Sequence, residues 1–231
     1  AALDPQASMI VTPSDHLITR EKDFEQSVIK GFEFVEANDA LLTLGIKPTR
    51  PETGYGYIQV GSKVTDDIDN VKTFTEKPSL DLAKVFLESG EFFWNSGIFL
   101  WKADNIIKAL KDNAPDVITT FERGSKLFGT EKEFNFIEEN FESCVSISID
   151  YAVMEKASNV YVETVTFGWN DLGTWSALRD NSPKNKDGNV AQNCELLSYN
   201  STGNIFAIHG KKLVVVDGLE NYIVADAGDI L

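Results

Sequence analysis

Strand-like and helix-like hydrophobic patterns alternate through the first hundred residues of the chain. Between residues 20 and 38, apolar side chains recur at the spacing of one helix face and predict an amphipathic helix. Short apolar runs predict strands, the first ending near Thr12 and the others covering residues 40–46, 57–61, 71–75 and 98–101. Ser79 is a good N-cap for a helix that ends near residue 89. This alternation predicts an α/β layer fold.

The second half of the chain changes character twice. Residues 103–156 predict mainly helices, broken near Pro115, Gly124 and Gly129. Five phenylalanines of this region are expected to pack in the core or under a lid: Phe121, Phe128, Phe134, Phe136 and Phe141. A strand is predicted over residues 160–167, residues 181–188 have the composition of a linker, and short β-rich runs alternate with turns after them. We therefore predict two domains, residues 1–180 and residues 181–231.

One carboxylate lies in a glycine turn between two indoles. In the segment FGWNDLGTW, residues 167–175, Gly168 and Gly173 can adopt backbone conformations that other residues resist, so the backbone can approach a ligand closely. Asp171 would project from this aromatic frame and suits a metal ligand. A structural turn that packs both tryptophans against the core is the alternative.

A second carboxylate follows the first apolar run of the chain. Residues 10–12 read as the end of a buried parallel strand, and Asp15 comes just beyond it. In open α/β sheets, ligands bind beyond the carboxyl ends of the strands, so Asp15 is a candidate site residue. Alternatively, its side chain only caps a turn.

Three further segments carry polar groups at strand ends. The loop over residues 47–58 contains glycines that could expose backbone N–H groups to a ligand, although it lacks the spacing of a dinucleotide fingerprint or a P-loop. Glu76 can accept hydrogen bonds from sugar hydroxyls and Lys77 can reach a phosphate, unless the two form an ordinary exposed ion pair. Asn95 follows three aromatic residues, precedes a glycine turn and offers both a donor and an acceptor.

Six segments, in this order, resemble the mannose-1-phosphate guanylyltransferases (GDP-mannose pyrophosphorylases) of the sugar-1-phosphate nucleotidyltransferase family. They are PSDH, PETGYGYI, FTEKP, WNSGIF, SIDYAVMEK and WNDLGTW. The resemblance spans roughly residues 8–178, with a weaker likeness beyond. It implies an α/β fold with a Rossmann-like nucleotidyltransferase sheet, helices on both faces, and a small β-rich C-terminal segment.

The resemblance also implies an activity and its residues. Enzymes of this family condense a sugar 1-phosphate with a nucleoside triphosphate, here mannose 1-phosphate with GTP, and release pyrophosphate. Since the attacking phosphate is already anionic, positioning and charge neutralisation by Mg²⁺ and cationic side chains are needed rather than a general base. By resemblance, Asp15 and Asp171 would bind the Mg²⁺. Lys77 would contact the sugar phosphate.

On the sugar side, the resemblance assigns hydroxyl binding to Glu76 and Asn95, and it directs the backbone N–H of Gly56 towards the sugar. The sequence departs from the family at its start, because no glycine-rich loop with Arg and Lys precedes Asp15. That loop cradles the triphosphate and helps to recognise the base. We therefore expect that the N-terminal part of the nucleotidyltransferase domain is missing and that the 231 residues alone are inactive.

Charge excludes two classes of partner. The formal charge is −15, from 36 acidic and 21 basic residues, which argues against nucleic acid and against an anionic membrane surface. No stretch approaches 18 apolar residues in a row, so no membrane span is predicted. We expect a cytoplasmic enzyme, and a sheet edge left open could support a homodimer.

The other reactive side chains suggest no second site. Cys144 and Cys194 lack metal-like spacing and are predicted to be reduced. Ser148 can cap a helix over residues 151–156, and Asp150 and Glu155 are expected to have surface or capping roles.

Three alternatives to the guanylyltransferase stay open. The first is another sugar-1-phosphate nucleotidyltransferase, which uses glucose phosphate with thymidine or uridine triphosphate. The second is a regulatory module that binds the sugar phosphate without catalysis. A glycosidase that uses paired acids is the weakest, because Lys77 and the glycine loop suit phosphate better.

Overall fold

A computed structural model describes residues 4–226 and divides the chain into two compact units. The first unit comprises the described residues up to Ser14 together with Ile18–Trp169, and the second comprises Asp15–Leu17 together with the chain from Asn170 onwards. The domain boundary between residues 180 and 181 stays a prediction, whereas the compact units change over at residues 169 and 170.

The strands and helices up to residue 170 alternate as predicted. The strands are β1 (Ser8–Val11), β2 (Leu17–Ile18), β3 (Leu41–Ile46), β4 (Tyr57–Lys63), β5 (Ile68–Thr75), β6 (Phe92–Lys102), β7 (Val160–Val165) and β8 (Trp169–Asn170). The helices are α1 (Glu21–Ala37), α2 (Leu80–Ser89), α3 (Ala103–Asn113), α4 (Pro115–Glu122), α5 (Glu133–Phe141) and a short π-helix, Asp150–Met154. The predicted helices over residues 20–38 and 80–89 are confirmed, and Ser79 Oγ accepts from the Leu82 N–H as the N-cap of α2.

Six strands form the main sheet in the order β1-β6-β3-β7-β5-β4, and β4 pairs with β6 as well. Of these pairings, β3 with β7 is parallel and the others are antiparallel. The long strand β6 therefore contacts β3 along one side and both β1 and β4 along the other.

The predicted environment of β1 is wrong. The strand lies at the edge of the sheet, runs antiparallel to β6, and alternates half-buried with exposed side chains. Met9 and Val11 are among the exposed apolar residues. An apolar run of four residues does not distinguish a buried parallel strand from an antiparallel edge strand with one face on the core.

Alternating side chains of β3 explain why helices cover both faces of the sheet. Leu42 and Leu44 pack on one face with Phe34 and Val35 of α1. Leu41 points the other way and joins a cluster that α3 and the π-helix complete. Because successive side chains of a strand point to opposite faces, this one buried strand supports both helical layers. The predicted α/β class with helices on both faces is confirmed.

Two expectations about the middle of the chain need correction. The strand predicted over residues 98–101 is part of the longer β6, which begins at Phe92 and therefore includes Asn95. Of the five phenylalanines expected to be packed, Phe134 and Phe141 are instead largely exposed. Among residues 4–226, no helix is long and apolar enough to cross a membrane.

The second unit contains α6 (Trp175–Asn181) and a parallel sheet of β9 (Val190–Tyr199), β10 (Ile205–Asp217) and β11 (Ile223–Ala225). This confirms the predicted β-rich C-terminal segment. Buried asparagines join successive passes of the chain: the Asn204 N–H and Nδ2 donate to Asn189 Oδ1 at 2.8 and 2.9 Å, and the Tyr222 N–H donates to Asn204 Oδ1 at 2.8 Å. These bonds satisfy the backbone where the strands begin.

One buried acid gives a test of the first unit. The side chain of Glu163 in β7 is 2% exposed and lies 3.9 Å from Lys30 Nζ of α1. Burial raises the pKa of Glu163 to about 7, although Lys30 and a hydrogen bond from Ser27 oppose the shift. Because this folded-state pKa exceeds the ordinary value of 4.5, the stability that the protonated acid contributes is complete below pH 4.5 and is lost as the pH rises through 7.

We therefore expect the free energy of unfolding of Glu163→Gln, relative to that of the wild type, to be about 2 kcal/mol higher at pH 8 than at pH 5. Urea unfolding at the two pH values measures the difference. Glu33→Gln, on the exposed surface of α1, is the matched control and should change stability equally at both. An effect of Glu163→Gln that is the same at pH 5 and pH 8 would contradict the assignment.

Candidate functional site

Three of the predicted site residues, Glu76, Gly56 and Asn95, lie side by side in one row. Glu76 directly follows β5, Gly56 directly precedes β4, and Asn95 lies within β6. The Asn95 N–H donates to the Gly56 carbonyl oxygen at 2.8 Å. A Cβ atom at Gly56 would collide with Glu76 Oε2 and would lie 3.4 Å from Asn95 Cβ. A larger residue at this position would therefore have to displace the Glu76 carboxylate, which occupies the space of a side chain.

The alternation of the strands places this row on one face. Tyr55, Tyr57 and Trp94 are buried on the other face, in an aromatic cluster with Phe86 of α2. Residues between them in sequence, Gly56 among them, point the opposite way. The aromatic cluster thus fixes the orientation of the polar row.

Lys77 follows β5 in a strained conformation. Its φ is 46°, its N–H donates to the Tyr55 carbonyl oxygen at 3.2 Å, and Pro78 comes next. The Lys77 side chain is 64% exposed, and its Nζ lies 3.2 Å from Glu76 Oε1. A positive φ is costly for a residue with a Cβ, so the surrounding contacts must hold this lysine in place.

The amide of Asn95 has a defined orientation. Its Oδ1 accepts from the Thr43 hydroxyl at 3.0 Å and from the Gly97 N–H at 3.3 Å. Its Nδ2 donates to Asp150 Oδ1 at 3.0 Å. The amide oxygen is therefore occupied by donors, and the amide nitrogen faces a carboxylate.

Asp150 corrects the expectation of a surface or capping role. The residue is half-buried at the start of the π-helix and bonds to Asn95. Burial and, to a smaller extent, the charge of Glu76 raise the pKa of Asp150 to about 6, although the hydrogen bond from Asn95 opposes the shift. Burial and Glu76 also raise the pKa of Glu155. Ser148 Oγ accepts from the Tyr151 N–H at 3.4 Å, but in place of the predicted helix over residues 151–156 the structure has a π-helix, Asp150–Met154, with Ile149 as its N-cap.

The loop before Gly56 is organised by its own acid. Glu52 Oε1 accepts from the N–H groups of Thr53 and Gly54, both at 3.1 Å. Glu52 Oε2 lies 3.1 Å from Arg50, whose guanidinium stacks 5.3 Å from the centre of the Trp94 ring. The glycine-containing loop is thus tied to the aromatic cluster beneath the polar row.

The turn around Asp171 has the predicted tightness, but its conformation differs. Gly168 has a φ of 74°, whereas the second positive φ, 53°, falls on Leu172 rather than on Gly173. Asn170 Oδ1 accepts from the Leu172 N–H at 2.8 Å and stabilises this conformation. Gly173 matters for space, since a Cβ there would lie 2.6 Å from Asp171 Oδ2.

The predicted residues divide between the two units. Gly56, Glu76, Lys77 and Asn95 belong to the first unit, and Asp15 and Asp171 belong to the second. Within residues 4–226, no group of three or more His, Cys, Asp or Glu side chains could hold a metal ion. Two carboxylates therefore suffice for a cation only if phosphate or water completes the coordination, which is the usual situation for Mg²⁺.

The chain is similar to a family model and to several known proteins. The model of the nucleotidyl transferase family matches residues 1–188. A putative mannose-1-phosphate guanylyltransferase of Vibrio cholerae serotype O1 is 38% identical over 224 residues, which cover 96% of this chain and 47% of that protein. The chain thus spans about half the length of this relative.

Two solved structures are also similar. One, from Thermus thermophilus, is described as a mannose-1-phosphate geranyltransferase; it is 29% identical with a TM-score of 0.83, and the match covers 96% of this chain and 63% of that one. The other, from Helicobacter pylori, is described as a mannose-6-phosphate isomerase; it is 31% identical with a TM-score of 0.62, and the match covers 74% of this chain and 67% of that one.

The strained lysine gives a prediction that does not depend on a ligand. Lys77→Gly should raise the free energy of unfolding by about 0.5–1 kcal/mol, because glycine adopts a positive φ without steric cost. Lys72→Gly, an exposed lysine within β5, is the control and should lower it by about 1 kcal/mol. Urea unfolding of both variants measures the effects. Equal destabilisation by both would show that Lys77 is unstrained.

Proposed function

Because the chain belongs to the nucleotidyl transferase family, we propose that it functions in a mannose-1-phosphate guanylyltransferase, which converts GTP and mannose 1-phosphate into GDP-mannose and pyrophosphate. The observation that carries the proposal is the polar row of Gly56, Glu76 and Asn95, followed directly by Lys77. An acid, an amide and a cation side by side suit a sugar that carries a phosphate.

The proposed reaction is an in-line transfer. A phosphate oxygen of mannose 1-phosphate forms a bond to the α-phosphorus of GTP, while the bond from that phosphorus to the bridging oxygen breaks and pyrophosphate leaves. The attacking oxygen is already anionic, so the side chains orient it and offset charge instead of removing a proton.

On the sugar side, each residue has a separate role. Glu76, as a carboxylate, accepts hydrogen bonds from sugar hydroxyls, and Asn95 makes a second polar contact. Lys77 binds the phosphate as a compact positive charge. Its exposed side chain supports this role, since 64% of its surface is accessible to a ligand. The backbone N–H of Gly56 faces the sugar.

Asp15 and Asp171 are the proposed ligands of Mg²⁺. Both are hard oxygen donors in the same compact unit. The missing side chain of Gly173 leaves room for the Asp171 carboxylate beside the backbone, which supports a built position for it. When bound, the cation neutralises charge on the phosphates.

Further parts of the proposal concern cellular context. Cys144 and Cys194 are both unpaired, which suits the predicted cytoplasmic location. The charge of −15 supports a protein that binds neither nucleic acid nor membranes, with mannose 1-phosphate and GTP as its partners. A homodimer stays a prediction.

A second candidate activity follows from the Helicobacter pylori structure. That protein is described as a mannose-6-phosphate isomerase, so this chain could act on mannose 6-phosphate instead. Both descriptions name a phosphorylated mannose, which the polar row with Lys77 suits equally. The family match over residues 1–188 favours nucleotidyl transfer.

The deciding experiment uses the protein expressed from its own gene. We expect GDP-mannose and pyrophosphate from GTP, mannose 1-phosphate and Mg²⁺, detected by chromatography. Glucose 1-phosphate with UTP or thymidine triphosphate, and mannose 6-phosphate alone, are the comparison reactions. Turnover only of glucose 1-phosphate, or only isomerisation of mannose 6-phosphate, would replace the proposal with the respective alternative.

The metal role has its own test. In the same assay, Asp171→Asn should shift the magnesium dependence to at least about tenfold higher concentration, because a neutral amide is a poorer Mg²⁺ ligand than a carboxylate. Asp180→Asn, which removes an exposed acid from α6, is the matched control and should leave the dependence unchanged. Unchanged dependence in Asp171→Asn would remove Asp171 from the metal site.

A further inference from the structure

Asp150 reaches the polar row from a firmly anchored segment. The three residues at the end of the π-helix, Ala152 to Met154, are buried in the core. A backbone hydrogen bond spans Asp150, because the Ala152 N–H donates to the Ser148 carbonyl oxygen at 2.9 Å. Asp150 is therefore held by a rigid part of the fold and not by a loose loop.

The contacts of Asn95 leave one hydrogen of its amide nitrogen to bind a ligand. The amide oxygen faces two donors, the Thr43 hydroxyl and the Gly97 N–H. Reversing the amide would set its NH₂ group against the Gly97 N–H and its oxygen against the Asp150 carboxylate, and both contacts would be repulsive. The second hydrogen of Nδ2 has no acceptor in the described part of the chain.

We infer that Asp150 is a positioning residue for the sugar: by accepting from Asn95 Nδ2, it fixes the amide so that Asn95 offers a sugar oxygen an N–H donor and never its carbonyl. The inference rests on the proposed function for the identity of the ligand, a hexose 1-phosphate. Nothing in the resemblance or in the family assignment gives Asp150 this role.

The inferred geometry implies a rule for the sugar. Glu76 as a carboxylate can only accept hydrogen bonds, whereas the fixed Asn95 can only donate. Because both lie beside Gly56, they bind two neighbouring sugar oxygens in opposite senses: one hydroxyl gives its proton to Glu76, and the other offers a lone pair to Asn95. A vicinal diol meets this demand, and a deoxy sugar that lacks either hydroxyl does not.

The first arm of the test needs no ligand. The Asn95 side-chain amide is followed by nitrogen–proton NMR from pH 4.5 to pH 8. Two carboxylates face Asp150: Glu76 at the end of β5 and Glu155 beyond the π-helix. The Asn95 signals should shift with a midpoint near pH 6 in the wild type. The Asp150→Asn variant should lose this step, and Glu155→Gln should keep it. A step that persists in Asp150→Asn would come from another group and overturn the inference.

The second arm measures binding of mannose 1-phosphate by calorimetry at pH 7.5. Asp150→Ala should weaken binding about tenfold, as expected for loss of a charge-assisted contact, and Asp150→Asn should restore most of it because its amide oxygen can still accept. In an Asn95→Ala background, Asp150→Ala should cause no additional loss, since a positioning residue acts through its partner.

The outcomes distinguish a failure of the positioning role of Asp150 from a failure of the proposed function. Additive losses in the double variant, or full affinity in Asp150→Ala, would overturn the positioning role while the proposed function stands. Wild-type protein that does not bind mannose 1-phosphate, but whose Asn95 signals still titrate with Asp150, would refute the proposed function and with it the sugar-positioning role. Circular dichroism of each variant verifies the fold, and Asp150→Asn keeps the test valid if the alanine variant unfolds.

Discussion

The pairing of β4 with both β5 and β6 is the constraint on which the candidate site depends. In this arrangement, Gly56, directly before β4, lies between Glu76 and Asn95. The backbone hydrogen bond from the Asn95 N–H to the Gly56 carbonyl oxygen fixes the register. If the register shifted by one residue, the polar side chains would point to the face of the aromatic cluster, because side chains alternate between faces. Packing of Tyr57 and Trp94 against α2 therefore stabilises the register. It is the apolar face of these strands that determines where the polar face presents its groups.

Local sequence patterns predicted most secondary-structure elements, but not how these elements pair. Helical periodicity was sufficient for α1, and the cap at Ser79 was sufficient for α2, since both signals lie within a few residues. Glu76 and Asn95 could be singled out as polar groups near strand ends, but their common neighbour Gly56 follows from strand pairing over long distances in the chain. For the same reason the direction of β1 was wrong and Asp150 was missed: 55 residues separate it from Asn95, and no periodicity links them.

Two acids in the first unit, the buried Glu163 and the half-buried Asp150, have raised pKa values in different settings. Burial raises the pKa of both Glu163 and Asp150. Glu163 lies within the fold beside Lys30, a basic neighbour that offsets part of the burial cost, so its effect is on stability. Asp150 instead faces the carboxylate of Glu76 and the amide of Asn95. Like charges in a polar cluster gain nothing for folding, and such an arrangement is typical of a binding site rather than of a structural ion pair.

Strained backbone conformations occur next to two of the proposed site residues, Glu76 and Asp171. Among non-glycine residues with positive φ in residues 4–226, three are asparagines, which tolerate this conformation; the others are Lys77 and Leu172. Lys77 adjoins Glu76, and Leu172 adjoins Asp171. Strain of about 1–2 kcal/mol at each persists only where surrounding contacts enforce it. At Lys77 the hydrogen bond from its N–H to the Tyr55 carbonyl oxygen does so, and at Leu172 the Asn170 side chain does. Both residues of unfavourable backbone geometry therefore border a proposed site residue, as expected if placement of those side chains, and not local stability, determines the two turns.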